Sequence, residues 1–176
     1  MRSFGIVVCC VLAGAPVGAA DQDEVKTTPV KHAGLEKLKK LTGEWVAADA
    51  DGKATERLVS VFKVTAGGSA VQETIFPGTG HEMMTLYHLD GPNLVLTHYC
   101  SAGNQPHMKA DPKAPANQLK FVFSGGTNFD PARDMHIHEG SIVFLDDDRI
   151  EWSWVGYKDG KPQAAHTVAL KLVRKK

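Results

Sequence analysis

Two pairs of residues in this 176-residue chain have the types and spacing to bind a metal. His98 and Cys100 stand two positions apart, and so do His136 and His138. Residues i and i+2 of a β-strand share a face. Imidazole nitrogen and thiolate sulfur are good ligands for zinc or copper. Together the four would make a His/Cys metal centre, with His81, His107 or Glu73 as a further ligand. The competing readings are plain: a single buried Cys usually acts as a small hydrophobe, and a strand His can simply be hydrogen-bonded. Neighbours at i and i+2 have no guaranteed contact, so His98 and Cys100 do not by themselves make a base and a nucleophile. The chain also lacks a G-x-S-x-G elbow, a phosphate loop and a dinucleotide fingerprint. Enzyme chemistry here would need a metal-bound water, and no catalytic residue is assigned.

The elements that must carry these residues are β-strands. Arg57–Thr65, Ser69–Phe76, His81–Asp90, Asn93–Ser101, Gln118–Ser124, Met135–Leu145, Arg149–Tyr157 and His166–Arg174 each read as a strand. Turn signals separate them: Gly67-Gly68, Pro77-Gly78, Asp90-Gly91-Pro92-Asn93, Gly125-Gly126, Asp146-Asp147-Asp148 and Asp159-Gly160. Three consecutive Asp fit neither a calcium loop nor its Gly, and read as a solvated turn. Upstream, Leu35, Leu38 and Leu41 recur at helical spacing, which predicts a short amphipathic helix over Lys31–Leu41. It would either plug a barrel end or lie outside. Glu44-Trp45-Val46 begins a first strand after Thr42-Gly43, and Asp111–Asn117 is the main irregular loop. Closely spaced strands with no helix between them imply an all-β, antiparallel, up-and-down barrel with one N-terminal helix.

The hairpin around Asp90–Asn93 sets the face of the first pair. If Leu89 lies across from Leu94, then His98 faces Thr85 and Cys100 faces Met83. Met83, Thr85, Tyr87, Leu89, Leu94, Leu96, His98 and Cys100 then share one face, which is expected to point inward. The opposite face carries Met84, Leu86 and Val95, so it too should be covered, by an oligomer partner or the helix. A ligand site on the inward wall would draw on Thr85, Tyr87, Leu96, His98 and Cys100. Asn104 and Gln105 in the following Gly103–Pro106 segment could bind a polar ligand group at a barrel mouth, or serve only as turn residues. Trp152 and Trp154 also share a face, as core or cavity wall.

Composition narrows the partners. The chain has 20 Lys+Arg against 20 Asp+Glu, so it has no electrostatic surface for nucleic acid. Arg2, the apolar run Phe4–Ala15 and the small residues Val17-Gly18-Ala19-Ala20 form a secretory signal peptide over residues 1–20. Residues 21–30 are a polar, flexible leader, and residues 31–176 form one domain. Cys9 and Cys10 lack a preceding small residue, so a lipoprotein reading is set aside. Both leave with the signal, Cys100 remains alone, and no internal disulfide is expected. No other run is apolar and long enough to insert in a membrane. The protein is expected to be periplasmic or extracellular.

The order of helix, Leu41-Thr42-Gly43-Glu44-Trp45 and antiparallel strands resembles the calycin barrels, the group of lipocalins, fatty-acid-binding proteins and nitrobindins. The segments Gly67–Gly91 and Leu96–Met108 more closely resemble a family of exported bacterial proteins that has no assigned activity. The resemblance implies a barrel that takes a small, largely apolar molecule. A nitrobindin likeness would add haem, held by a His near the start of the final strand, here His166 after Pro162-Gln163-Ala164-Ala165. Val46-Ala47-Ala48-Asp49 stands where nitrobindins carry a Gly-rich extension. The leading expectation is a ligand-binding barrel, with a metal centre and a haem site as alternatives. Amino-terminal sequencing of exported protein should find Ala20 or Asp21 first; retention of Met1 would refute the signal reading.

Overall fold

A computed structural model describes residues 31–176; the segments expected to be a signal peptide and a leader lie outside the described residues. After α1 (Ala33–Lys39) come ten strands. They are β1 (Gly43–Ala48), β2 (Ala54–Thr65), β3 (Ala70–Ile75), β4 (Met83–Asp90), β5 (Asn93–Tyr99), β6 (Gln105–Ala110), β7 (Gln118–Thr127), β8 (His136–Phe144), β9 (Arg149–Lys158) and β10 (Lys161–Arg174). Every strand pairs antiparallel with its sequence neighbours, and β1 pairs with β10 to close the barrel. Full closure leaves no sheet edge unpaired. Among the described residues no helix is long and apolar enough to cross a membrane.

The β4–β5 hairpin has the expected register, with Leu89 opposite Leu94 and Thr85 opposite His98. Tyr87, Leu94, Leu96 and His98 are buried and Tyr99 is exposed, so the inward face is also as expected. One strand was missed. Gly103-Asn104-Gln105-Pro106 reads as a turn, yet Gln105 and Pro106 open β6. Pro106 lacks an N–H donor, but β6 pairs with β5 only from His107 to Lys109. The proline thus sits where that ladder has already ended, a position it tolerates.

The helix is a plug. Leu35 and Leu38 are 2% and 0% exposed, and Gly34 packs against the Leu94 side chain. The connection out of the helix is held by Trp45, which is fully buried and donates its indole N–H to the Leu41 carbonyl at 2.7 Å. Gly43 allows the bend between them, with a φ of 124° in the region that favours glycine. Arg174, near the end of β10, lies 4.6 Å over the Trp45 ring and donates to the Lys40, Thr42 and Asp147 carbonyls and to Asp148. This arrangement clasps the last strand to the first and seals the helix end. The opposite end, where β3 and β5 finish and β8 begins, has no such plug among the described residues.

Truncating the plug tests its role. Leu38→Ala should cost about 2–5 kcal/mol in urea unfolding, the range for a buried leucine that leaves a cavity. A loss well below about 1 kcal/mol would show that α1 only rests on the barrel.

Candidate functional site

The unplugged end holds a pocket of about 560 Å³. Its apolar wall is made by Phe76, Met83, Ile137, Trp152, Trp154 and Val168, with Arg57, His81 and His166 also lining it. Strand alternation builds this wall. Trp152 and Trp154 both point inward from β9, opposite Leu170 and Val168 of β10. Gly140 on β8 is directly across from Trp154. A Cβ there would come within 2.7 Å of the indole, so only glycine lets the ring lie over this strand. The two indoles meet edge to face at 6.0 Å, and Phe76 is edge to face with Trp152 at 6.2 Å. Phe76 has φ 50°, a strained value for a bulky residue, at the end of β3 beside the pocket.

His98 is the buried polar residue of this wall, 1% exposed. It reaches inward from β5 and packs at a tilt against Trp154 of β9, centroids 5.2 Å apart and planes 31° apart. Its Nδ1 is 2.9 Å from Thr85 Oγ1. Neither His98 Nε2 nor Trp154 Nε1 has a hydrogen-bond partner among the described residues. Burial lowers the imidazole pKa to about 4, so the ring is neutral near pH 7. Cys100, half-buried beside it, places Sγ 4.0 Å from Met83 Sδ.

Beneath Trp152 lies a polar knot. Glu73 of β3 is fully buried. It accepts from Ser60 Oγ at 2.6 Å, Tyr87 Oη at 2.6 Å and Trp152 Nε1 at 2.7 Å. Burial pushes the Glu73 carboxyl pKa up, and the three donors pull it partly back. Burial, followed by the Glu73 charge, pushes the Tyr87 phenol well above its ordinary value.

The residues singled out from sequence therefore part company. His98 and Cys100 line the pocket, and Thr85 orients His98. Tyr87 and Leu96 lie in the packed interior, Tyr87 bonded to Glu73. Asn104 is a tether: its amide donates to the Met135 carbonyl at 2.6 Å, holding the turn after β5 to the segment before β8. Gln105 accepts from Thr127 and Asn128, both at 2.8 Å, and bonds away from the pocket. His136 and His138 do not join His98 and Cys100. They bond each other at 2.9 Å within a separate cluster of Phe123, Phe129 and Tyr157, just past the last β7–β8 pair. Among the described residues no group of three or more His, Cys, Asp or Glu side chains is placed to hold a metal. His166 is exposed on the pocket rim. Glu73 as the anchor of the interior, and Phe76, were not legible beforehand. A lone acid in an alternating strand was the available signal for the first.

No protein-family model matches this chain, and no curated protein matches it.

The Glu73 knot makes a pH prediction. Its folded pKa lies above the unfolded value, so its contribution is fully present below the unfolded pKa and is lost as pH rises through the folded one. His98 has the opposite sign: its lowered pKa removes stability as pH falls from the ordinary histidine range toward about 4. Comparing wild type with Glu73→Gln cancels the histidine. Wild type should gain on the variant as pH falls from about 8 to about 4 in thermal melts. A difference that is flat, or that grows with rising pH, would show that the carboxyl is not strained by burial.

Proposed function

We propose that this protein is an exported barrel that binds a small, largely apolar molecule in the mouth pocket. The observation that carries the reading is the asymmetry of the interior. One end is sealed by α1 and packed side chains, while the other keeps about 560 Å³ of space walled by Phe76, Trp152 and Trp154. Eight strands leave an interior just wide enough for side chains or one small ligand, and ten strands leave more room. Apolar concavities with a few placed polar groups are the usual form of small-molecule sites.

The alternatives raised by sequence have less support. A centre using all four of His98, Cys100, His136 and His138 would need the two pairs to converge, and they occupy separate clusters. A haem on His166 would have its axial ligand on an exposed rim, while the buried imidazole of the wall is His98.

The neutral fluorophore N-phenyl-1-naphthylamine tests the reading. It should bind saturably with enhanced emission, and native mass spectrometry should show one molecule per chain. Val168→Trp puts a large ring into the pocket from β10 and should abolish the binding while the far-ultraviolet spectrum is kept. Equal emission enhancement with both proteins, or none with wild type, would overturn the proposal.

A further inference from the structure

Two polar groups of the pocket wall lack a partner, and they constrain what the pocket takes. His98 and Trp154 come from strands with three others between them, and their rings meet across the interior. Both side chains are more than nine-tenths buried, both line the pocket, and His98 Nε2 and Trp154 Nε1 have no partner among the described residues. Buried polar groups left unpaired are rare and costly. The indole nitrogen can only donate. The role of the imidazole nitrogen follows from Thr85, which is fully buried and whose hydroxyl has no hydrogen-bond partner among the described residues other than His98 Nδ1. That hydroxyl is satisfied as a donor only if Nδ1 accepts. The ring proton then sits on Nε2, so the wall holds two buried N–H donors with no acceptor among the described residues.

The charge of the partner can be argued too. The nearby carboxyl, Glu73, is already occupied by Ser60, Tyr87 and Trp152. The cationic side chain lining the pocket, Arg57, is exposed, and His98 is neutral. An anion buried against His98 and Trp154 would have no buried counter-charge, which is strongly unfavourable. A neutral oxygen meets two N–H donors without that penalty. The aromatic wall of Phe76, Trp152 and Trp154 suits a flat ring system.

From this geometry we infer that the ligand class is a flat, uncharged aromatic or conjugated molecule whose carbonyl oxygen is bound by His98 Nε2–H and Trp154 Nε1–H. The inference rests on the mouth pocket being a binding site and deepens that reading.

A matched pair of probes separates the two. Fluorene and 9-fluorenone have the same flat skeleton and differ in the carbonyl. By calorimetry, wild type should bind 9-fluorenone at least about tenfold more tightly than fluorene, the factor that corresponds to about one good hydrogen bond. Trp154→Phe keeps an aromatic ring over Gly140 and removes the donor; it should lose most of that preference and retain fluorene binding. In wild type labelled with nitrogen-15, His98 should be protonated on Nε2. The His98 Nε2–H and Trp154 Nε1–H resonances should both move downfield with 9-fluorenone and not with fluorene, a readout that needs no variant. Equal affinity for the two probes, an Nδ1–H tautomer, or an unchanged preference in Trp154→Phe would overturn the carbonyl assignment. If neither probe binds while N-phenyl-1-naphthylamine does, this assignment alone fails; if the naphthylamine fails as well, the pocket reading falls with it.

Discussion

A single carboxyl organises the interior of this barrel. Glu73 on β3 gathers Ser60 from β2, Tyr87 from β4 and Trp152 from β9. The first two bonds join adjacent strands, but the third spans the lumen. Taking an acid out of water is costly, and here three donors from three strands offset part of that cost. A saturated polar cluster in a low-dielectric interior demands one geometry, because any shift leaves a donor or an acceptor unpaired. Trp152 is thereby held in place as the floor of the mouth pocket, and the neighbouring inward residue of the same strand, Trp154, is placed with it.

The two ends of the barrel follow different physical rules. At the helix end, Leu35, Leu38 and Trp45 fill the opening, and Arg174 ties the last strand to the chain leaving the helix. Packed side chains fill the lumen there. At the other end no described residue covers the opening, and aromatic side chains line a space instead of filling it. Each end supplies what the other lacks: one the stability of a core, the other a concave wall.

The histidines show how surroundings set the use of one residue type. His98 is isolated among apolar rings, bonded on one nitrogen and free on the other. His136 and His138 bond each other, and His136 Nδ1 also meets the Asp134 carbonyl at 2.9 Å. Burial, then the neighbouring His136, lowers the His138 pKa. These two rings are part of a packed aromatic cluster, where their nitrogens satisfy one another.

The sequence by itself determined the architecture, because strand alternation and turn residues act locally. Period-two patterning around Asp90–Asn93 was enough to place Thr85 opposite His98 and to choose the inward face. Leu35, Leu38 and Leu41 likewise announced the helix, though not whether it plugs the barrel. β6 escaped because its Gly103–Pro106 lead-in has turn chemistry, and pairing with β5 and β7 overrides it. The site needed tertiary structure. A two-residue spacing puts His98 beside Cys100, but no local signal tells whether His136 and His138 reach them; barrel closure sends the pairs to different places. The partners that matter to His98 and Glu73 are Trp154 and Trp152, 56 and 79 positions away in the chain. Contacts across a lumen depend on strand count and barrel closure together, and neither is written in any one stretch of residues.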